Sequence, residues 1–172
     1  FLFPIGPKVG ALLNVLIKGR DSKTIIEIGT SYGYSTIWLA EAARAVDSKV
    51  ISLDHDASKQ EYAAEALVRA GLRDWVEFKT GDAAETLANL PDSFDFVLLD
   101  VWKEFYIPCF DAIYPKLNDG ALIVADNMLL PPELREQGKL YRAHIRSFAG
   151  IESMLLDLGM GVELTRYLRD TV

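Results

Sequence analysis

Asp100, Lys103, Asp126 and Asn127 are the residues best suited by type and spacing to hold and activate a ligand oxygen. Asp100, Asp126 and Asn127 are hard oxygen donors, and no His or Cys stands beside them. Carboxylate and amide oxygens suit Mg²⁺, with Mn²⁺ or Ca²⁺ as alternatives, and do not suit zinc. Two carboxylates brought together without a cation would be costly. That cost ranks a metal site above the competing reading, in which Asp100 and Asp126 cap the loops that follow their strands. Lys103 lies three residues past Asp100 and can take the proton of a metal-held hydroxyl. A phenol has a pKa of ~10 and is a weak nucleophile at neutral pH, but coordination stabilises its oxyanion. Desolvation and a neighbouring cation would both lower the lysine from its reference value of ~10.4.

A second group lies upstream, in Glu27-Ile28-Gly29-Thr30-Ser31-Tyr32-Gly33-Tyr34-Ser35. Gly29 and Gly33 permit a tight turn and close approach of a ligand to backbone, and the next helix offers free N–H groups to an anion. The spacing is not the G-x-G-x-x-G of nicotinamide enzymes. Asp54, at the end of the next apolar run, is placed to accept from both hydroxyls of a ribose. Its competing role is a helix N-cap, for which Asp56 and Ser58 are better placed. Gly81-Asp82 puts a carboxylate where an adenine amino group could lie, and a simple turn or cap explains it nearly as well. Tyr32, Tyr34 and Trp38 read as helix packing, Trp102 as core or pocket wall, and His144, between Arg142 and Arg146, as surface.

These groups can act together only if the fold carries them to one edge. Short apolar runs alternate with helical patterns, the mark of a parallel α/β sheet. Strands are expected at Thr24–Ile28, Lys49–Leu53, Val76–Lys79, Phe94–Leu99 and Gly120–Ala125. Helices are expected at Lys8–Lys18, from Gly33 to Ala45, at Ser58–Ala70 and at Leu140–Phe148. Met128–Lys139 reads as a loop. Late strands near Met154–Leu156 and Val162–Leu168, joined across Gly159 and Gly161, suggest an antiparallel hairpin. In open α/β sheets ligands bind beyond the carboxyl ends of the strands, and Glu27, Gly29, Asp54, Asp82, Asp100, Asp126 and Asn127 all fall there.

The chain has 172 residues, half of them apolar, which suits a single domain spanning 1–172. Its net charge of −7 disfavours nucleic-acid binding. The lone Cys109 fits a reducing cytoplasm and a buried hydrophobe. No apolar run is long enough to span a membrane. The chain opens on Phe1 rather than Met, so a preceding segment able to supply a lid is expected.

Taken in order, Glu27 to Ser35, Asp54, Gly81-Asp82, Asp100-Val101-Trp102-Lys103 and Asp126-Asn127 resemble the cation-dependent O-methyltransferases. That family includes catechol and caffeoyl-coenzyme A O-methyltransferases, and the likeness runs from Pro4-Ile5-Gly6-Pro7 to the last strand. It implies a Rossmann-like class I methyltransferase sheet, mostly parallel with a terminal antiparallel hairpin, with helices on both faces. It implies S-adenosylmethionine as cofactor. Glu27 would shape the pocket, Gly29, Ser31, Gly33 and Ser35 would meet the methionine part, and Asp54 the ribose. Asp82 and Ala83 would lie beside adenine, with His55 against the ring or facing solvent. Asp100 would border both cofactor and metal, Asp126 and Asn127 would complete the metal set, and Lys103 would be the catalytic base. The acceptor would be a small hydroxylated, catechol-like aromatic, and the assembly a homodimer. Val101-Trp102 lacks the His of the catechol-type Asp-His-Trp-Lys, and Asp119-Gly120-Ala121 replaces the usual Gly-Gly; neither change removes a ligand. Competing readings are an RNA hydroxyl methyltransferase of the same family, a nicotinamide-dependent oxidoreductase and a non-enzymatic cofactor-binding module.

Overall fold

Strands that are apolar on both faces must be covered on both, and this chain does so with helices. The computed structural model describes residues 3–91 and 93–169; Phe1, and the segment expected ahead of it, lie outside them. The strands are β1 (Thr24–Ile28), β2 (Lys49–Asp54), β3 (Val76–Thr80), β4 (Phe94–Leu99), β5 (Leu117–Ala125), β6 (Ile151–Leu156) and β7 (Val162–Tyr167). They form one sheet in the order β3-β2-β1-β4-β5-β7-β6. β1 to β5 run parallel, and β7 pairs antiparallel with both β5 and β6. The helices are α1 (Gly6–Arg20), α2 (Tyr34–Ala45), α3 (Ala57–Arg69), α4 (Ala83–Asn89), α5 (Tyr106–Ile113) and α6 (Arg135–Ile145). No helix among the described residues is long and apolar enough to cross a membrane.

Alternation along each strand divides the core in two. Ile25, Phe96, Leu98 and Val124 pack with Leu13 of α1, Leu39 of α2 and Leu67 of α3. Ile26, Val97, Leu99 and Ile123 pack on the opposite face with Leu87 of α4, Phe110 of α5 and Ile145 of α6. Cys109 is buried in this second cluster, and burial pushes its thiol up to about 12, so it stays a neutral hydrophobe.

Several expected boundaries move. β5 begins at Leu117, ahead of the expected Gly120: Leu117 already pairs with Phe94, and the turn-like Asn118-Asp119-Gly120 falls in the register shift before Leu122 pairs with Phe96. α5 has no counterpart in the sequence reading. Pro108 hides it, although proline is tolerated in a first helical turn, where the N–H has no intrahelical partner. The expected loop at Met128–Lys139 becomes helical at Arg135. Its Gly138 is buried in α6, where an added Cβ would stand 3.0 Å from the Met128 carbonyl oxygen. β6 starts at Ile151, three residues before the expected Met154.

The turn between β6 and β7 reaches back to the segment that follows β5. Met128 N donates to Gly161 O at 2.9 Å, and Leu129 N to Met160 O at 2.9 Å. Across the sheet, the loop after β1 folds onto the end of β4. Gly29 sits there at φ 108°, and a Cβ would lie 2.0 Å from the Asp100 carbonyl oxygen.

Beneath that loop Glu27 is fully buried. Ser35 Oγ donates to one of its oxygens, while Thr36 Oγ1 (2.7 Å) and Ser52 Oγ donate to the other. Ser52 continues to Thr30 Oγ1 at 2.6 Å, and Gln60 Nε2 of α3 donates to Thr30 Oγ1 at 3.1 Å. Burial pushes the Glu27 carboxyl from the ordinary 4.5 up to about 7; the hydroxyls oppose the rise and the charge of Asp54 adds to it. The folded state therefore holds this proton more tightly than the unfolded chain. The stability it contributes is full below 4.5 and is lost as pH rises through about 7. Glu27→Gln carries no such proton, so its stability relative to the parent should improve by about 1–3 kcal/mol between pH 5 and pH 8. Urea denaturation at the two pH values measures this, and an equal gap at both would refute the raised value. Gly29→Ala should lower the unfolding free energy by about 2–4 kcal/mol, from positive-φ strain and the contact with Asp100. An unchanged urea midpoint would show that the loop can move away.

Candidate active site

A cavity of about 360 Å³ lies over the carboxyl ends of the strands. It sits where the strand order reverses, between β1 and β4, which is where open α/β sheets leave a crevice. Gly29, Ser31, Ser35, Asp54, His55, Asp82 and Ala83 line it together with Asp100, Lys103 and Asn127. Glu27, Gly33 and Asp126 are not among the lining residues: each stands one layer beneath.

The loop after β1 is held by Asp54. Ser31, at φ 48°, donates its N–H to Asp54 Oδ2 at 2.7 Å, and Asp56 N donates to Oδ1 at 3.0 Å. Each carboxylate oxygen can accept again, so Asp54 still has capacity for hydroxyl donors. The cap of α3 is Asp56, which accepts from Ser58 N and Lys59 N. Asp82 does cap α4, accepting from Glu85 N at 2.8 Å, and it also faces the cavity. His55 is exposed, with Nδ1 3.4 Å from Asp54 Oδ1. Gly33 also meets a packing need. At φ 83°, its missing Cβ leaves room for Ala63 of α3, which a Cβ would approach to 2.7 Å. Its close approach to a neighbouring helix is thus a second reason for glycine there.

At the ends of β4 and β5 the charges converge. Asp126 is fully buried, and neither of its carboxylate oxygens has a hydrogen-bond partner among the described residues. Burial lifts its carboxyl to about 6, while the N–H of Asn127 and then Lys103 oppose the rise. Asp100 is lifted further, to about 8, by burial and then by the charge of Asp126. Two carboxyl groups that resist ionisation side by side, one with both oxygens unpartnered, fit a divalent cation. Asn127, at φ 57°, donates Nδ2 to Met160 Sδ at 3.3 Å, which leaves its amide oxygen as the free acceptor. Among the described residues no cluster of three or more His, Cys, Asp and Glu side chains could hold a metal. The arrangement here is two carboxylates and an amide.

Lys103 is 6% exposed and faces the cavity. Its Nζ donates to the backbone carbonyl oxygen of Asp126 at 2.8 Å. Burial brings the amine down to about 7 against the pull of Asp100 and Asp126, so near neutral pH it exchanges a proton readily.

Other residues reach the site that the sequence reading placed elsewhere. Tyr32 and Tyr34 line the cavity, each 43% exposed; Tyr32 also packs on a helix as expected, edge to face with Tyr62 of α3 at 5.4 Å. Trp38 does pack, against Gly10 of α1. Trp102 lines the cavity with Phe105 and Leu134, so it is wall and not core. Tyr106 is buried behind Lys103, three residues on, and helical spacing was the one available signal for it. His144 is half-buried against Phe148 and bonded to Asp111, rather than lying on the open surface.

A methyltransferase-domain family profile matches residues 26–128, more than half of the chain. A catechol O-methyltransferase of Niastella koreensis is 34% identical over 73% of this chain and 58% of its own length. A caffeoyl-CoA O-methyltransferase of Eucalyptus globulus is 30% identical over 91% of this chain and 72% of its own. The chain thus spans less than two thirds of the first of these relatives. The crystal structure of the O-methyltransferase TomG from Streptomyces achromogenes, involved in tomaymycin synthesis and bound to SAM, superposes with a TM-score of 0.88. It is 25% identical, and the match covers 97% of this chain and 82% of that one. By these matches the chain belongs to the methyltransferase family that includes the catechol and caffeoyl-CoA O-methyltransferases.

Proposed function

We propose that this chain is an S-adenosylmethionine-dependent O-methyltransferase that uses a divalent cation and acts on one hydroxyl of a small, catechol-like acceptor. One observation carries this reading. The buried Lys103 amine stands beside the unpartnered Asp126 carboxylate, at the rim of the cavity that Asp54 and Ser31 also border. Bound there, S-adenosylmethionine supplies a sulfonium methyl, and the cation, Mg²⁺ before Mn²⁺ or Ca²⁺, lowers the cost of an acceptor oxyanion.

The chain's own residues would do the rest. Asp54 accepts from the ribose hydroxyls; Asp82, Ala83 and His55 flank adenine; Gly29, Ser31 and Ser35 meet the methionine part. Glu27 and Gly33 hold that loop from beneath. Asp100, Asp126 and Asn127 hold the cation, with Asp100 also bordering the cofactor. Lys103 takes the hydroxyl proton at Nζ. Trp102, Phe105 and Leu134 give an apolar wall for a flat ring, and orienting oxygen towards methyl carbon is the protein's largest contribution. One catalytic domain, a cytoplasmic setting suited to the free Cys109 and a homodimer complete the reading. The net charge of −7 favours a small acceptor over RNA.

Methyl transfer from S-adenosylmethionine to caffeic acid, measured with Mg²⁺ and with a chelator, tests the proposal. Turnover should vanish with the chelator. Lys103→Ala should lose about 10²- to 10³-fold in kcat, the usual range for a general base, while calorimetric affinity for S-adenosylmethionine stays within about threefold. Since the neutral amine is the active form, kcat/KM of the parent should rise with pH through about 7, and Lys103→Ala should lack that limb. Turnover indifferent to the chelator would sink the cation role, and failure to bind the cofactor would sink the whole reading.

A further inference from the structure

The Lys103 amine has two carboxyl groups for neighbours, yet among the described residues it forms an ion pair within 4.0 Å of neither. Its hydrogen bond goes instead to a neutral atom, the backbone carbonyl oxygen of Asp126, at 2.8 Å. Tyr106 accounts for this choice from two sides. Its hydroxyl donates to the same carbonyl oxygen at 3.1 Å, and its ring lies under Nζ with the centroid 3.6 Å away. A carbonyl oxygen accepts two hydrogen bonds, so lysine and tyrosine together fill it. The ring face attracts the ammonium while giving it nothing to donate a full hydrogen bond to. Tyr106 is itself fixed: it is fully buried and meets Tyr141 edge to face at 5.4 Å.

We propose that Tyr106 is a positioning residue for Lys103, clamping Nζ between the Asp126 carbonyl and its own ring and so holding the amine out of an ion pair with Asp100 and Asp126. Such a pair would leave the lysine charged and turned from the cavity. The clamp keeps one N–H on a neutral acceptor and the rest of the nitrogen towards the acceptor hydroxyl. This deepens the role of Lys103 and rests on the function proposed above, but the clamp itself can be read without turnover.

Tyr106→Phe keeps the ring and removes the hydroxyl; Tyr106→Leu removes both. Acetylation of Lys103 by trace acetic anhydride at fixed pH, mapped by peptide mass spectrometry on the protein without cofactor, reports how the amine is held. Lys103 should label several-fold more slowly in Tyr106→Phe and more slowly still in Tyr106→Leu, as the released amine pairs with the carboxylates, with the exposed Lys18 and Lys139 unchanged as internal standards. In the methyl-transfer assay Tyr106→Phe should lower kcat about tenfold, as loss of one positioning hydrogen bond does, with the acceptor KM within about twofold. Calorimetric affinity for S-adenosylmethionine, unchanged in Tyr106→Phe, verifies that this variant is folded. Unchanged labelling of Lys103 overturns the proposal, and so does an unchanged kcat. Full turnover in Lys103→Ala would sink the base role alone, because Lys103 labelling in the Tyr106 variants would still decide the clamp.

Discussion

Gly29 and the Asp100 backbone lie so close that no side chain fits between them, and the rest of the site depends on that approach. It joins the loop after β1 to the end of β4 at the reversal in strand order. The loop carries Ser31 to Asp54; β4 carries Asp100 and, a short turn later, Lys103. With a larger residue at position 29 the loop and the end of β4 would have to move apart, because a Cβ there stands 2.0 Å from the Asp100 carbonyl oxygen. The parallel sheet sets the distance between strand ends, but this glycine sets whether the loops above them meet.

The site is costly to the fold in a consistent way. Glu27, Asp100 and Asp126 are all pushed above the usual carboxylate range, each chiefly by burial. They are relieved differently. Glu27 is surrounded by hydroxyls from α2 and β2 and is complete within the protein. Asp126 has no hydroxyl partner among the described residues; only the Asn127 N–H and the charge of Lys103 oppose its rise. The contrast separates a carboxyl satisfied within the protein from one left with acceptor capacity unused.

Much of this was legible in the sequence. The apolar runs ending in Glu27-Ile28-Gly29, Asp54, Asp100 and Asp126-Asn127 put the chemistry at one sheet edge, because parallel strands share their direction. Less legible was anything set by contact between elements. The packing need for Gly33 comes from Ala63, thirty residues away in the chain, and no local pattern announces it. Tyr34 looked like helix packing because periodicity cannot tell a face turned to the core from one turned to a cavity. Tyr106 had only its spacing from Lys103 to mark it: its ring and hydroxyl meet atoms of Lys103 and Asp126, and no composition rule anticipates a shared carbonyl acceptor. α5 was hidden by Pro108 and β5 by a polar turn-like start, both cases where tertiary packing overrode local preference.

The turn that joins the last two strands grips the backbone just past Asn127, through Met160 and Gly161. During vectorial synthesis every candidate ligand and the lysine would already have emerged while that grip was still missing. Until β7 arrives, the edge of β5 also stands open to pair with any other strand. The growing polypeptide therefore holds all its chemistry before it holds it still, because the residues that finish the site are made after those that act in it.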